Sequence, residues 1–196
     1  MYDDIKSVIY YCVFMENFKN HMKPFGLIKK TVEKDPMAPT YIKPDGTKVI
    51  EQQNEFGLTV YEICPDKTLI SRTYNKKDQL FVDYIRKNFL EIGHTYDEFG
   101  QVIYEFNSLY DEHYKLKQKK EIVFEYHDNG KKSREYIVNT STEIKIEIFY
   151  DENGNKKEKI EHRGTVKTFY DANDKPVKRE IDRGSGGIIT EDLTNK

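Results

Sequence analysis

Length, composition and charge exclude several classes of protein. The chain has 196 residues and a formal net charge of −2 with both signs interspersed, so no overall field attracts nucleic acid or an anionic membrane. Two cysteines are too few for a disulfide framework. The content is 37% hydrophobic and 34% charged, with 15 Tyr and no Trp, which favours a thin sheet with amphipathic rings over a thick apolar core.

The chain is expected to be soluble and cytoplasmic, because it has neither a signal region nor a run of about 18 apolar residues. Its composition predicts three regions. These are an N-terminal α+β region at 1–57, a β-hairpin repeat sheet at 58–183 and a flexible tail at 184–196. The oligomeric state stays open.

The first 35 residues fit two structures. Asp3 and Asp4 are suited to cap a helix, and no Gly or Pro interrupts the chain before Pro24. However, Val8–Phe14 is β-branched and aromatic, which is typical of a strand. The uninterrupted length favours the helix, and the strand remains the alternative.

Short alternating segments separated by turn residues follow. The turn Pro44–Gly46 predicts that Lys48–Ile50 pairs back on the preceding segment. Leu58–Ile63 and Thr68–Tyr74 are predicted strands joined by the turn Pro65–Lys67.

A tyrosine that ends a strand and precedes a polar four-residue turn then recurs. Asp and Asn side chains bond their own backbone in such turns, and Gly adopts positive φ without penalty. Ile144, Ile146 and Ile148 alternate with charged residues, which predicts a strand with one buried face. The copies begin at Tyr74, Tyr96, Tyr126, Tyr150 and Tyr170. We therefore predict a mainly β fold: an antiparallel meander of β-hairpin repeats with a small α+β N-terminal part.

The segment Asp78–Gly93 fits either a helix or a hairpin. Phe81, Ile85 and Phe89 have helical spacing, and a Gly ends the segment. In register with the repeats, 80–84 and 90–96 are instead the two arms of a hairpin. We favour the hairpin because Gln79 follows its turn as Gln101 follows the next.

The motif Tyr-Asp-x-Asn-Gly/Asp resembles the YD repeats of bacterial RHS proteins, and it is similar to the MORN-like repeats of bacterial antitoxin-type proteins. The resemblance covers about residues 58–183. It departs from the family at Asp174, where Gly is expected, and at Asn75, where Asp is expected. The length excludes an RHS-type shell, so the resemblance implies a binding or inhibitory β-sheet module. It rests on Tyr96, Asp97, Gly100, Tyr126, Asp128, Gly130, Tyr150, Asp151, Gly154, Tyr170 and Asp171.

No catalytic or cofactor motif is recognisable, and we expect a protein that is not an enzyme and holds no cofactor. Asp111, His113, His127 and Asp128 could form a metal site across neighbouring strands, but polar turn residues explain them better. The segment 184–187 lacks the lysine and following helix of a phosphate-binding loop.

Two functions remain. The first is stoichiometric inhibition of another protein, either a toxin or a host defence nuclease such as a CRISPR effector; the inhibitor would be an immunity or antitoxin-like protein or be phage-encoded. The alternative is binding of RNA or single-stranded DNA, because lysines alternate with rings along one segment, although many Glu residues neutralise the same sheet. No membrane partner is expected. The candidate binding residues are Tyr104, Tyr110, Tyr114, Lys115, Lys117, Lys119, Lys120, Tyr126, Lys131 and Lys132.

Overall fold

The computed structural model describes residues 39–53 and 57–194, and their strands form a single antiparallel sheet. Fourteen strands lie in chain order, each hydrogen-bonded to the one before it. The predicted mainly β hairpin meander is therefore confirmed. The helix or strand predicted within residues 1–35 lies outside the described residues.

The strands alternate in direction across the sheet, and most are short. Their bounds are β1 Tyr41–Ile42, β2 Lys48–Gln53, β3 Gly57–Ile63, β4 Leu69–Asn75, β5 Leu80–Lys87, β6 Leu90–Tyr96, β7 Val102–Tyr110, β8 Leu116–Tyr126, β9 Lys132–Asn139, β10 Ile144–Tyr150, β11 Lys156–Arg163, β12 Val166–Tyr170, β13 Pro176–Asp182 and β14 Ile188–Asp192. We call the face that carries Ile144, Ile146 and Ile148 the front face, and the opposite face the back face.

The sheet is longer at both ends than the sequence predicted. Strands β1 and β2 belong to it, although their residues were assigned to the N-terminal α+β region. Within the segment predicted to be a flexible tail, a 3-10 turn at Gly184–Gly186 leads into strand β14. The backbone N–H of Arg183 donates to the carbonyl of Gly187 at 2.9 Å, which closes this turn and returns the chain along β13.

The hairpin interpretation of 80–96 is confirmed, with β5 and β6 as its arms. Asn88 adopts a positive φ of 53° in the tight turn between them. Phe81 and Ile85 lie on one face of β5, so a spacing of four residues satisfies a strand as well as a helix.

The recurrent turn has one hydrogen-bonding pattern, which Asp151 illustrates. Its backbone N–H donates to the carbonyl of Asn155 at 2.9 Å, and its carboxylate accepts the N–H groups of Asn153 and Asn155 at 2.8 Å each. Gly154, the fourth residue, has φ 82°, the left-handed conformation that follows a type I turn in hairpins of this kind. The same acceptor role falls to Asn75, Asp97, Asp111 and Asp171.

Each repeat tyrosine occupies the same place in the sheet. The strand register shifts immediately before it, at a β-bulge. One repeat consumes two antiparallel strands, so all five tyrosines lie at the same end of the sheet, which we call the tyrosine end; strand alternation also puts them on the front face. They are Tyr74, Tyr96, Tyr126, Tyr150 and Tyr170.

Turns at the tyrosine end are linked to one another by side chains. The amide of Gln79 donates to the carbonyl of Glu98, and the amide of Gln101 donates to that of Gly130 at 2.7 Å. Further along, the Lys131 ammonium donates to a backbone carbonyl of the 151–155 turn at 2.9 Å. The repeats are therefore stabilised by contacts between successive turns as well as by strand pairing.

Large and small residues alternate across the back face of β3–β7. The strand register aligns Tyr61, Ser71, Tyr84, Gly93 and Phe106 in one row. The rings of Tyr84 and Phe106 have centroids 6.3 Å apart, on either side of Gly93. Both Ser71 and Tyr84 are buried. Neighbouring strands thus supply the burial that a second layer provides in a sandwich.

Beyond β8 the back face becomes charged. Arg134 on β9 contacts Glu125 on β8 at 3.0 Å and Glu147 on β10 at 2.5 Å. His162 on β11 lies 3.1 Å from Glu147. On the front face, Ile146 pairs with Ile137, and the three predicted isoleucines share that face as expected, but they are half-buried rather than buried.

Gly93→Ala should destabilise the protein by about 1–3 kcal/mol, because overpacking strains a filled site. A methyl group at Gly93 would lie 2.8 Å from Cζ of Phe106. Urea unfolding measures the loss of stability. In a Phe106→Ala background the same substitution should cost clearly less; an equal cost would mean that the ring is not the obstacle.

Acid should weaken the turn at Asp66. The Thr68 backbone N–H, which donates to the Asp66 carboxylate at 3.0 Å, and the Lys87 ammonium lower the pKa of Asp66 to about 2. A lowered folded-state pKa means that this stabilisation is present above about pH 4 and is lost as the pH falls toward 2. Urea midpoints between pH 5 and 2 should fall more steeply for the wild type than for Asp66→Asn, which keeps an acceptor but does not titrate. Parallel curves would contradict this.

Candidate functional site

The ten sequence-predicted binding residues do not form one site. Strand β8 separates them, and its eleven residues span about 34 Å. Tyr114 and Lys115 lie in the turn before β8, whereas Tyr126, Lys131 and Lys132 lie at the tyrosine end.

Three of the four predicted tyrosines have structural roles, and one of them, Tyr126, is half-buried and donates its hydroxyl to the carbonyl of Val102 at 2.6 Å. Tyr104 is 6% exposed on the back face, and its hydroxyl donates to Glu121 at 2.5 Å. Burial and this carboxylate raise the pKa of Tyr104 well above its ordinary value. Tyr110 is half-buried and its hydroxyl donates to Glu91 at 3.1 Å. The sequence identified these rings correctly as sheet residues but could not tell which were covered.

Most of the predicted lysines are engaged with neighbours. Lys117 contacts Asp111 at 3.1 Å, and Lys119 contacts Glu121 at 2.9 Å. Lys132 contacts Glu135 at 2.6 Å and lies over the ring of Phe124. Lys131 bridges two turns, as described above. Lys115 and Lys120 are exposed.

Exposed apolar side chains gather at the other end of the sheet. Among the described residues, eleven large hydrophobic side chains are exposed, of which six lie together around the ends of β5–β8. Four others lie on the outermost strands and one, Phe99, at a turn tip. We call the group of six, which are 37–58% exposed, the apolar patch: Ile85, Phe89, Leu90, Leu109, Tyr114 and Leu116.

Strand register assembles the apolar patch. Leu90 on β6 is the direct partner of Leu109 on β7, and strand alternation puts both on the front face with Ile85. The rings of Phe89 and Tyr114, from two different turns, meet edge to face with centroids 5.7 Å apart. The front-face part of the patch therefore combines residues from three strands and two turns. Leu116 is the strand partner of Tyr110, whose hydroxyl bonds Glu91 on the back face, so Leu116 lies at the same end of the sheet but on the back face.

Backbone bonds fix the two turns against each other. The N–H of Tyr110 donates to the carbonyl of Phe89 at 2.9 Å. The carboxylate of Asp111 accepts the backbone N–H groups of His113 and Lys115 at 2.9 Å each. The Lys115 N–H bond and the Lys117 ammonium hold the pKa of Asp111 below its ordinary value, so this turn stays ordered around a carboxylate.

Tyr114 occupies a backbone conformation that disfavours it. Its φ is 56°, at the turn position where Gly100, Gly130 and Gly154 adopt the same conformation. Lys67, Asp78 and Asp174 also adopt it in their turns, but none of them carries a ring. A left-handed conformation costs an L-residue about 1–2 kcal/mol, and a bulky side chain there is a genuine outlier. Such strain is characteristic of functional positions. The sequence named Tyr114 as a ring in a basic segment, but its backbone conformation became visible only from the turn register.

The metal site considered from the sequence is not assembled. Asp111 and His113 lie at one end of β8, whereas His127 and Asp128 lie at the other. Across residues 39–53 and 57–194, no group of three or more His, Cys, Asp or Glu side chains is placed to hold a metal ion.

No protein-family model matches this chain, and no curated protein sequence matches it significantly. Within the part of the chain that the structure describes, no helix is long and apolar enough to span a membrane.

The strain at Tyr114 can be measured directly. Tyr114→Gly should be more stable than Tyr114→Ala by about 1 kcal/mol, since both lack the ring and only Gly adopts the left-handed conformation freely. Tyr114→Gly should also be at least as stable as the wild type. Urea unfolding of the three proteins checks both statements, and equal stability of the Gly and Ala variants would rule out strain.

Proposed function

We propose that this protein is a non-enzymatic binding module that inhibits a bacterial effector protein stoichiometrically, and that the apolar patch is the centre of its interface. The observation that carries the proposal is the concentration of six exposed apolar side chains at one end of the sheet. Scattered exposed hydrophobic residues need no explanation, whereas a contiguous group marks an interaction surface.

The dimensions suit the core of a protein interface. Ile85, Leu90 and Leu109 come from three adjacent strands, so the front-face part of the patch is about 10 Å wide, from two interstrand spacings, and the two turns extend it. Interfaces concentrate their binding energy in a few central aromatic and aliphatic residues surrounded by polar ones. Phe89 and Tyr114 supply the rings, while the paired Leu90 and Leu109 supply aliphatic surface.

The strain at Tyr114 supports a role in binding. A residue that lowers the stability of its own turn contributes little to folding, and its ring is 58% exposed. Stability given up at one exposed position is typical of residues retained for function. We assign Tyr114 as the central anchor of the interface.

The rim of the patch carries charges of both signs, including the exposed Glu112 of the Tyr114 turn. Lys115 and Lys120 are exposed, and Lys87 is held 3.0 Å from Asp66 beside it. Exposed rim charges mainly increase association rates and select partners of opposite charge. An effector surface with an apolar centre and edges of mixed charge complements this arrangement.

The resemblance to antitoxin-type hairpin repeats suggests the biological class of the partner. We propose a toxin or a defence nuclease, bound by an immunity or antitoxin-like protein or by a phage-encoded inhibitor. The confirmed hairpin meander is consistent with that resemblance, but a hairpin array also arises from strand and turn chemistry alone.

Nucleic-acid binding receives less support from the contacts. Four of the lysines proposed to hold a strand, at 117, 119, 131 and 132, are bonded to carboxylates or backbone carbonyls. The aromatic residues of the same segment are also divided between the two ends of β8. Single-strand binding needs a continuous basic groove with stackable rings.

Leu109→Glu should weaken partner binding by at least about tenfold, because it places a charge at the centre of an apolar interface. Leu109 is 43% exposed, so the fold should tolerate the change. Phe99→Glu is the matched control, because it changes an 82% exposed side chain at the tyrosine end. A partner captured from the source cell is purified, and its affinity for each variant is measured by calorimetry.

The expected result is a one-to-one complex with the wild type and Phe99→Glu and a loss with Leu109→Glu. Equal affinity for both variants would exclude the apolar patch. Tight wild-type binding to a bare oligonucleotide that falls steeply with salt, with no protein partner recovered, would favour the nucleic-acid function instead.

A further inference from the structure

The last strand, β14, leaves one edge of the sheet open among the described residues, because it is paired with β13 alone. The N–H of Leu193 donates to the carbonyl of Val177 at 3.0 Å. This bond shows which residues of β14 are hydrogen-bonded to β13, namely those with odd numbers. In an antiparallel pair every second residue bonds to its neighbour. The backbone groups of Ile188, Thr190 and Asp192 therefore point outward.

This edge carries little protection against pairing. Ile188–Asp192 contains no proline, no basic residue and no bulge, the devices that commonly block an edge strand. Ile188 is 67% exposed and Ile189 is 36% exposed. The carboxylates lie at the C-terminal half of the strand, where Glu191 is 3.6 Å from Arg179.

We propose that a second copy of this chain binds this edge, antiparallel to it, so that two sheets join through β14 about a two-fold axis at Ile189. In this register Ile189 faces Ile189 of the second copy. Ile188 of each copy faces Thr190 of the other copy, which gives two hydrogen-bonded pairs, one on either side of the axis. Residues 188 and 190 are those whose backbone groups point outward, so the ladder continues without interruption.

Charge and hydrophobicity select this register. Placing the axis at Ile189 sets Glu191 opposite Gly187, so no like charges meet. An axis at Thr190 would set Ile188 opposite Asp192 and Ile189 opposite Glu191, with each apolar side chain against a carboxylate. Cross-strand pairs of matched side chains stabilise a sheet, and mismatched ones do not. The strand is thus self-complementary, which is the condition for a symmetric dimer.

Dimerisation at this edge is separate from the proposed effector interface. Six strand spacings, about 29 Å, separate β14 from β8 at the side of the apolar patch. Each copy would keep its patch available, so the dimer would present two.

A disulfide tests the register. Ile189→Cys, made with Cys12→Ser and Cys64→Ser, should cross-link two copies under mild oxidation, because facing residues at a non-hydrogen-bonded pair have Cα atoms about 4.5 Å apart, within disulfide range. Ile181→Cys in the same background is the matched control. It lies on the same face one strand inward and should remain monomeric on non-reducing gels.

Light scattering across a concentration series tests the dimer itself. The wild type should become dimeric as concentration rises. Ile189→Lys, which sets two ammonium groups at the axis, should raise the dissociation constant at least about tenfold, whereas Phe99→Lys should not change it. A monomeric wild type at all concentrations, a dimer unaffected by Ile189→Lys, or equal cross-linking of both cysteine variants would overturn the proposal.

Discussion

The structure depends on one constraint: its described strands form a sheet without a second layer among them, so apolar groups must be covered by neighbours in the same layer. On the back face, rings lie over the small residues of adjacent strands, and Gly93 between Tyr84 and Phe106 is the clearest case. This arrangement explains why tyrosines, rather than clusters of aliphatic side chains, provide much of the buried apolar surface of the sheet. A tyrosine ring covers a neighbour while its hydroxyl bonds at the edge, as Tyr104 does with Glu121.

The same constraint makes exposed apolar surface informative. Half-burial is the ordinary state of a front-face residue such as Ile146, whose sides are covered by adjacent strands. The apolar patch departs from this pattern, because the exposed rings of Phe89 and Tyr114 in the turns lie beside strand residues that are themselves exposed. Its proposed role in binding a protein follows from that contrast. The β14 edge is a second, independent feature, since the fourteen described strands form an open row rather than a closed barrel.

Local turn chemistry sets the repeat and also permits residues other than glycine at the left-handed position, of which Tyr114 is the bulkiest among the described residues. Asp151 and Gly154 show the favourable case, in which a carboxylate caps the turn and glycine takes the left-handed position. Tyr114 fills that same position against its backbone preference, and an otherwise well-bonded turn holds it there. Repetition of a stable unit thus provides the scaffold on which a strained residue such as Tyr114 is tolerated.

The sequence by itself determined the strands, their turns and the hairpin meander, because period-two alternation and Asp/Asn/Gly turns are local signals. It also resolved 80–96 as a hairpin. Only the tertiary structure decided which rings are covered and which charges are paired. Tyr104 and Tyr114 look alike in sequence, yet cross-strand register buries one and exposes the other. Leu109 and Leu90 became part of a surface only because register places them side by side.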